Sequence, residues 1–450
     1  MRIRWLWVLV VAALLLAKAL PALAETGQRT VVIWWNKGYY PEEDKALEQA
    51  VAEWEQLSGY RVDLSFYSTE DIAKKIVSAV EAGLPPDLAF SHFADWQFNP
   101  RFAWEGKLED VSDVIVPIKN LYTSAALDSV YLYNNVEKKR SYYAVPIEQQ
   151  TIHIHYWRDM LAQAGLDEKA IPKDWEGFWD FWKQAQEQLR RKGERVYGLG
   201  LPMSTGATDT YFTFEQIMAA YGVELMDRDG NLLVDRPDVR QGIVKALDFY
   251  TSFYRGRYVP PGAVNWLDPD NNVNFLNRTT VMTPNPTLSI PASQMANPDV
   301  YRNKIATIEW PDGPEGRPIT YMVSVKTALI FRDSRNKQGA KEFLRYFLVP
   351  ERLGQYIKNS LGRWFPVMPQ LLEDPFWTDP ADPHRPVAWR QFTQRSTRPF
   401  YMVYNPAYGQ VLAENVWGKA IGRVVVEGWP AERAVNEAID RIKGIFATWK

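Results

Sequence analysis

The sequence predicts an α/β fold of two lobes, each a mostly parallel β-sheet flanked by helices. Between residues 30 and 91, short apolar runs alternate with amphipathic helical segments, a pattern typical of parallel strands joined by helices. The length of 450 residues exceeds what one hydrophobic core usually supports, which predicts two lobes. The chain has no cysteine but 19 Trp, 23 Tyr and 20 Phe, so its stability must come from burial of large side chains.

The first 24 residues have the pattern of a cleaved secretory signal. Arg2 and Arg4 precede an apolar run of 13 residues, 5–17, and Ala22-Leu23-Ala24 forms a small-x-small cleavage site. The run is shorter than the roughly 20 residues that span a bilayer, which favours cleavage over an uncleaved membrane anchor. No cysteine follows the site, so we expect a mature protein without a lipid anchor, in a bacterial periplasm.

The first three predicted strands are 30–34, 61–66 and 88–90, because each is rich in β-branched and apolar residues. Helical segments separate them, which predicts right-handed crossovers and parallel pairing. Ligands of such sheets bind beyond the carboxyl ends of the strands. The loops after these strands are therefore the first candidates for a binding site.

The helices between these strands carry start and stop signals. The first begins at Pro41, with acidic residues in its first turn, and ends at Gly59. Ser68 with Asp71 approximates a capping box for the second, which ends at Gly83. Later patterns predict a helix capped by Asp174 and further helices over 212–221, 237–254, 336–347 and 430–450. Extended segments are predicted at 142–146, 151–155 and 321–331.

The three loops after the predicted strands all combine aromatic with hydrogen-bonding side chains. They are 35–40 (WNKGYY), 67–69 (YST) and 91–96 (SHFADW). Flat aromatic faces pack against the apolar faces of sugar rings, while polar neighbours bond the hydroxyls. The candidate ligand-binding residues in these loops are Trp35, Asn36, Tyr39, Tyr67, His92, Asp95 and Trp96.

Charge and motifs exclude several function classes. The net charge is −2, and about −5 without the basic residues of the leader, so the chain lacks the electrostatic footprint of a protein that binds nucleic acid or anionic membranes. The sequence contains no phosphate-binding G-x-x-x-x-G-K-[ST], no H-E-x-x-H and no G-x-S-x-G. A glycosidase needs only two facing carboxylates, and no pair is singled out. A binding protein is favoured over an enzyme.

Two segments contain side chains that could ligate a metal ion. His153 and His155 share one face of a predicted strand, but no third ligand is visible nearby, so paired polar residues are favoured. The oxygens of 268–272 (DPDNN) could bind calcium, but the segment lacks the glycine and distal glutamate of a calcium loop, which favours a solvated turn. We expect no metal and no other cofactor.

Six segments resemble, in the right order, the extracellular solute-binding proteins of family 1, the maltose-binding-like receptors of ABC importers. Several are similar to family patterns such as glycine-x-proline-aspartate-apolar, "YALP…YNKDLFEEAGL" and "P-x-T-W-D/E". Each segment alone is weakly specific, and their common order carries the resemblance. The segments are the first strand with Trp34-Trp35, 83–88, 143–166, 172–176, 274–282 and 336–351.

The resemblance implies the two-lobed periplasmic-binding-protein fold, with a ligand cleft between lobes joined by crossing segments. The lobes would close on the solute by a hinge motion, and a separate ABC permease and its ATPase would accept the solute from a monomeric receptor. The expected division is 25–147 for the first lobe, 148–288 for the second, 289–355 again for the first, and 356–450 for the second with the C-terminal helices.

The function implied is import of a carbohydrate or polyol, without catalysis. A cation such as a polyamine, held by acids within an aromatic cage, and an exported polysaccharide-acting enzyme or lectin are the alternatives. The remaining candidate ligand-binding residues are Glu148 and Gln149, beyond the first crossing, and Asp209, Tyr211, Asn285, Arg363 and Trp364, expected from the second lobe.

Overall fold

The computed structural model describes residues 29–449, so the predicted signal at 1–24 lies outside the described residues. The strands are β1 (Thr30–Asn36), β2 (Arg61–Tyr67), β3 (Leu88–Ser91), β4 (Tyr131–Asn134), β5 (Lys139–Tyr142), β6 (Val145–Thr151), β7 (His153–Trp157), β8 (Tyr197–Leu199), β9 (Thr280–Asn285), β10 (Ile305–Ile308), β11 (Tyr321–Leu329), β12 (Phe365–Pro366) and β13 (Thr397–Pro399).

The helices surround the sheets of both lobes. They are α1 (Pro41–Ser58), α2 (Thr69–Glu81), α3 (Ala94–Gln97), α4 (Asn99–Trp104), α5 (Ser112–Ile115), α6 (Ser124–Asp128), α7 (Arg158–Ala164), α8 (Trp175–Arg191), α9 (Thr208–Ala220), α10 (Pro237–Arg255), α11 (Asp270–Leu276), α12 (Ser289–Ala292), α13 (Lys337–Phe347), α14 (Pro350–Lys358), α15 (Pro375–Thr378), α16 (Arg385–Gln394), α17 (Ala407–Ala413), α18 (Val416–Val425) and α19 (Ala431–Thr448). Within residues 29–449, no helix has the length and apolar character needed to cross a membrane.

The local signals for the first two helices are confirmed. α1 ends against Gly59, whose φ of 74° lies in the left-handed region that glycine adopts without strain. Ser68 caps α2, its Oγ accepting from the amide of Asp71 at 3.2 Å. Asp174 caps α8 in the same way, accepting from the amide of Gly177. The apolar stripe of α8 is buried, namely Trp175, Phe178, Trp179, Trp182 and Leu189.

The first sheet runs in the order β12-β6-β11-β3-β1-β2, and β13 pairs with β11. β1 pairs in parallel with both β2 and β3, as the alternating pattern predicts. β11 is antiparallel to β3 and β6, and β12 is antiparallel to β6. The carboxyl ends of β1, β2 and β3 therefore lie at one edge of the sheet, where the predicted ligand loops begin.

The second sheet runs in the order β10-β7-β9-β8. Only β8 and β9 are parallel, whereas β7 is antiparallel to β9 and to β10. The α/β class is confirmed, but both sheets are mixed rather than mostly parallel, since β11 is antiparallel to β3 and β6 in the first sheet and β7 is antiparallel to both its neighbours in the second. β6 and β7 are separated by Ile152 alone, so one extended segment enters this sheet directly and pairs with strands that run in the opposite direction.

Three extended segments join the two lobes. The first is β6 and β7, which meet at Ile152. The second is β11, where Met322 packs in the core of the second lobe and Val323 in that of the first. The third includes β13, since Phe392 packs in the first core and Phe400 in the second. Strands, and not irregular linkers, therefore form the base of the ligand cleft that we expect between the lobes.

The structure divides the chain differently from the expected boundaries in two places. We expect 289–355 in the first lobe, but Ile305 of β10 packs in the second core. We expect 356–450 in the second lobe, but Phe365 of β12 packs in the first core. The crossings run through buried strands, so the sequence offers no change of composition that would mark them.

Candidate functional site

Polar and aromatic side chains converge at the carboxyl edge of the first sheet. They come from the loops after β1 and β3, from β6 and β11, and from the loop before β12. We call this set the first-lobe cluster: Tyr39, Tyr40, Glu43, His92, Asp95, Glu148, Ser324, Lys326, Arg363 and Trp364.

Asn36, at the end of β1, ties the surrounding loops together. Its Nδ2 donates to the Thr69 hydroxyl and to the Lys37 carbonyl, both at 3.0 Å. Its Oδ1 accepts from the backbone amide of His92 at 3.2 Å. Because these polar atoms already bind protein, Asn36 positions the site rather than facing a ligand.

Glu43 organises the loop that carries the first aromatic pair. Its Oε1 accepts from the backbone amides of Tyr39 and Tyr40, both at 3.1 Å. Burial raises the pKa of Glu43 to about 7, with Arg363 opposing the shift. The ring of Tyr39 is 59% exposed, and the hydroxyl of Tyr40 is buried without a hydrogen-bond partner. The loop thus presents one open ring and one unpartnered hydroxyl.

Asp95 and Lys326 form a buried ion pair at 3.2 Å. Ser324 completes a triad, because its hydroxyl bonds Asp95 and accepts from Lys326 Nζ at 2.7 Å. Lys326 is only 2% exposed, so its charge needs this carboxylate. Its Nζ also lies 5.8 Å from the ring centroid of Trp364, which connects the triad to the rest of the first-lobe cluster.

His92 and Glu148 form the second buried pair, with Nε2 and Oε1 3.2 Å apart. Burial lowers the pKa of His92 well below its usual value, helped by Arg363 and Lys326. Burial also raises the pKa of Glu148 well above its usual value. Burial thus favours the neutral form of both groups, and a protonated carboxyl can share its proton with the imidazole or with a ligand. The second oxygen of Glu148 has no partner.

Arg363 and Trp364 complete the first-lobe cluster from the loop before β12. The guanidinium carbon of Arg363 lies 4.7 Å from the ring centroid of Tyr39 and 4.8 Å from that of Trp364. The Trp364 ring in turn lies 4.5 Å from that of His92. Arg363 Nε and Trp364 Nε1 are buried and unpartnered. We expect these two residues from the second lobe, but Trp364 packs in the first core.

A second polar cluster lies on the second lobe, at the end of β9 and the start of α11. Asn285 Nδ2 donates to Asn272 Oδ1 at 2.5 Å, and Asn271 Nδ2 donates to Asp209 Oδ2 at 2.9 Å. Burial raises the pKa of Asp209 well above its usual value, and Asn271 Oδ1 is buried without a partner. We call this set the second-lobe cluster: Asp209, Asn271, Asn272, Asn285, Thr287 and Ser289.

A small cavity lies at the crossing strands, between the two lobes. Its volume is about 10 Å³, and its lining includes Ser324 of the first-lobe cluster and Pro286, the residue after Asn285 of the second-lobe cluster. Thr151, Ile152 and other residues of the crossing strands line the same cavity. The crossing strands therefore lie next to one member of the first-lobe cluster and next to the chain neighbour of one member of the second.

Three candidate residues lie away from this region, because their side chains are buried and pack or form hydrogen bonds within the protein. Trp35 is 1% exposed, stacks on Phe90 at 4.4 Å and donates to the Tyr356 hydroxyl at 2.9 Å. Tyr211 is buried in the second core against other aromatic rings. Gln149 Nε2 donates to a backbone carbonyl of β12 at 2.7 Å. The structure does not bring these side chains to the site.

Tyr67 and Trp96 occupy other surfaces. Tyr67 packs edge-on against Trp34 at 5.7 Å, with Lys75 Nζ 4.7 Å from its ring centroid. Trp96 lines a separate cavity of about 270 Å³ between the helices α3 and α4 and the second-lobe helix α17, opposite Trp449. Neither ring contacts the first-lobe cluster in the interactions of the described residues, so the loop sequence alone does not fix which aromatic faces the ligand.

The two segments weighed as metal sites have structural partners. His153 bonds Gln391, and His155 Nδ1 lies 2.9 Å from the Thr307 hydroxyl. Burial lowers the pKa of His153 to about 4. Asp268 accepts from the Thr208 hydroxyl at 2.6 Å, within the turn before α11. Over residues 29–449, no group of three or more His, Cys, Asp or Glu side chains is placed to hold a metal ion.

Sequence reasoning missed Asn271, Asn272, Thr287 and Ser289 of the second-lobe cluster as ligand candidates. In the first-lobe cluster it missed Tyr40, Glu43, Ser324 and Lys326. A signal for the last two exists in β11, which reads YMVSVKTAL. Ser324 and Lys326 are the polar residues at alternate positions of an otherwise apolar strand, so they share one face. A buried lysine at such a position requires a partner, which points to a functional or structural carboxylate nearby. Glu43 has a weaker signal, as the third residue of a helix.

Comparisons with known proteins agree with this architecture. The chain is 22% identical over 273 residues to YcjN of Escherichia coli K12, named as a periplasmic-binding protein of an ABC transporter, with 61% of this chain and 59% of the relative covered. It is 20% identical to the arabinooligosaccharide-binding protein of Halalkalibacterium halodurans, over 75% of this chain and 72% of that protein. The chain thus spans less than two thirds of the first relative.

Among solved structures, an ABC transporter solute-binding protein of Thermotoga lettingae, crystallised with α-D-tagatose, has the same fold. The TM-score is 0.73 at 21% identity, with 93% of this chain and 99% of that chain covered. A family model described as bacterial extracellular solute-binding protein matches residues 49–387. That match covers most of the chain, including the second sheet and the second-lobe cluster, whereas β1, β13 and Tyr39, Tyr40 and Glu43 of the first-lobe cluster lie outside it. The chain therefore belongs to the bacterial extracellular solute-binding proteins.

Proposed function

We propose that the chain is the periplasmic substrate-binding component of an ABC importer. It binds a carbohydrate or polyol in the cleft between its lobes and delivers it to a permease, whose ATPase is a further separate protein. The receptor itself has no catalytic role and works as a monomer. Export through the cleaved signal at 1–24 brings it to the periplasm.

The observation that carries this proposal is the first-lobe cluster. The open ring of Tyr39 and the buried ring of Trp364 flank the Arg363 guanidinium, and Arg363 Nε, Trp364 Nε1 and Glu148 Oε2 are buried without a protein partner. Leaving such groups unpaired costs about 1–3 kcal/mol each, so a ligand that satisfies them gains that energy. An aromatic face beside planar hydrogen-bonding groups is the chemistry that a sugar ring and its hydroxyls require.

The names of similar proteins support the same class of solute. One solved structure holds tagatose, and one relative is named for binding arabino-oligosaccharides. Both identities are too low to transfer a particular sugar, but the two solutes share a polyhydroxylated ring or chain. The same chemical class therefore fits the polar and aromatic residues of the first-lobe cluster.

The cationic alternative is disfavoured by the charges in the site. A polyamine needs unpaired carboxylates, but Asp95 already binds Lys326 at 3.2 Å. Arg363 lies in the same cluster and would repel an ammonium group. The polysaccharide-acting enzyme has no observation in its favour, since Asp95 and Glu148 both have structural partners.

A ligand panel tests the proposal. The purified protein is titrated by isothermal calorimetry with tagatose, glucose, arabinose, maltose, arabino-oligosaccharides and spermidine, at low and high salt. We expect a sugar to bind and a Tyr39→Leu variant, which removes the 59% exposed ring of the first-lobe cluster, to lose most of that binding, whereas Tyr131→Leu, at a 44% exposed ring on β4, keeps it. Binding of spermidine alone, weakening sharply with salt, would overturn the assignment.

A further inference from the structure

We propose that the solute is a sugar acid, whose carboxylate binds Arg363 in the first-lobe cluster and whose hydroxyls bind the second-lobe cluster. This inference rests on the proposed function and narrows the carbohydrate class to molecules such as uronic or aldonic acids. It follows from the distribution of unpaired charges and unpartnered donors and acceptors in the two clusters.

Arg363 is the charged side chain of the first-lobe cluster that lacks a protein partner. Asp95 and Lys326 pair with each other, and Glu43 accepts from two backbone amides. The guanidinium of Arg363 instead contacts only the rings of Tyr39 and Trp364, among the interactions of the described residues. Those rings hold its plane in place, so the fork can meet a carboxylate with two parallel hydrogen bonds.

The unpartnered buried groups around Arg363 are mostly donors. Arg363 Nε and Trp364 Nε1 can only donate, and the Tyr40 hydroxyl has a proton to give. Glu148 Oε2 is the acceptor of this set, and burial raises the pKa of Glu148 well above its usual value, which favours the protonated form. Two of these groups, Arg363 Nε and Trp364 Nε1, offer a ligand donors only. A carboxylate accepts at both oxygens and has no proton to give.

The charge balance also favours an anion. Asp95 neutralises Lys326, and the histidine in the cluster, His92, is neutral because burial lowers its pKa. Burial raises the pKa of Glu43 to about 7, so that group is only partly ionised at neutral pH. Burial also raises the pKa of Glu148, so both carboxyl groups near Arg363 resist ionisation and are poor counter-ions for its guanidinium. An anionic ligand beside Arg363 would supply that counter-charge.

The second-lobe cluster has the complementary character. Asn271 Oδ1 is a buried acceptor without a partner, and the hydroxyls of Thr287 and Ser289 lie 3.2 and 3.4 Å from Asn285 Oδ1. These amides and hydroxyls carry no charge and accept as well as donate, which suits sugar hydroxyls. A ligand with one acid end and several hydroxyls would thus satisfy both lobes at once.

Matched pairs of sugars test the inference. Calorimetric titration compares glucose with glucuronate, galactose with galacturonate, and galactobiose with digalacturonate, which share ring and linkage but differ in the acid. We expect the acid member of a pair to bind at least roughly tenfold more tightly, as for hydrogen bonds to a charged group. A neutral member that binds equally or better overturns the inference and leaves the proposed function intact. Absence of binding by every sugar overturns both.

A variant assigns the effect to Arg363. Arg363→Gln should weaken the acid roughly tenfold or more and change the neutral partner little, whereas Arg363→Lys should keep part of the preference through its charge. Arg317→Gln, at an exposed pair with Glu315, is the matched control. Equal weakening of acid and neutral sugar by Arg363→Gln would show that the guanidinium serves hydroxyls, contrary to the inference. Thermal unfolding of each variant shows that the fold is retained.

Discussion

Lys326 and Asp95 show how one residue position governs the site. Lys326 lies on β11 and points to the same face as Ser324, two residues earlier. Both charges are buried and paired at 3.2 Å. The attraction between them offsets the free-energy cost of removing each charge from water. The pair fixes Asp95 in the loop after β3, next to the residues that contact the ligand in our account.

Removing one member of this pair should therefore destabilise the protein strongly. Lys326→Met leaves Asp95 buried without its cation, and we expect the free energy of unfolding, measured with urea, to fall by about 3–5 kcal/mol. The double variant Asp95→Asn/Lys326→Met should recover a large part of that loss. Lys443→Met, which breaks an exposed pair with Asp235, should cost about 1 kcal/mol or less. Equal losses for the buried and exposed pairs would contradict this interpretation.

At single positions, the sequence predicts the loops better than the direction of each side chain. His92 and Asp95 lie in the first-lobe cluster, and their contact with a ligand stays a prediction, whereas Trp35 lies in the core. The sequence does contain a signal for the burial of Trp35. Val31, Ile33 and Trp35 stand at alternate positions of β1 and so share its buried face. Tyr67 and Trp96 carry no comparable signal, because an aromatic ring at a strand end packs equally well against protein or ligand.

The N-terminus of α1 is the element on which the Tyr39 and Tyr40 loop depends. Glu43 accepts from both backbone amides of that loop, which would otherwise be unsatisfied donors at a helix start. Folding raises the pKa of Glu43 from 4.5 to about 7, chiefly because burial penalises the charged carboxylate. The folded state therefore binds this proton more tightly than the unfolded state does.

The sign of the resulting pH effect follows from linkage. The stabilisation from protonated Glu43 is complete below pH 4.5 and is lost as the pH rises through about 7. Glu43→Gln keeps an accepting oxygen but does not titrate. As the pH rises between these values, the free energy of unfolding of the variant should therefore increase relative to that of the wild type by up to about 3 kcal/mol. Urea unfolding at a series of pH values measures this. Glu42→Gln, in the exposed part of the same turn, should show the same dependence of the unfolding free energy on pH as the wild type. If Glu43→Gln also shows the wild-type dependence, the raised pKa does not belong to Glu43.

Among the elements, the helices and strands between residues 30 and 91 follow from periodicity and capping signals, and the structure confirms them. Strand direction in the second sheet was not predictable in the same way. It depends on where β7 leaves β6, and no turn residue marks that passage, since Ile152 alone separates the two strands. Local signals therefore fix elements with their own caps but not the pairing of distant strands.

At the scale of the whole molecule, the α/β class follows from the sequence, but the assignment of segments to lobes does not. The second and third crossings run through β11 and β13, both part of an ordered sheet. The lobe that holds Arg363 and Trp364 depends on these crossings, so both residues were expected on the wrong side. Their contacts with Tyr39 and His92 are set by tertiary packing, which a local pattern does not encode.

Binding in a cleft between the lobes requires that both lobes contact the same solute. In the first lobe, Glu148 has a buried oxygen without a partner, and in the second lobe Asn271 has another. A solute held between the lobes would satisfy both atoms at once, and hinge closure would bring them to it. A solute bound to one lobe alone would leave the other group free.

Calorimetric titration of one sugar ligand into two single variants, Glu148→Ala and Asn271→Ala, tests this claim most directly. We predict that each substitution weakens the same ligand by roughly tenfold, since each removes a buried hydrogen-bonding group, while Asn303→Ala, at an exposed bond to Asp299, has no effect. If either Glu148→Ala or Asn271→Ala binds the ligand as tightly as the wild type, the site does not lie between the lobes as described.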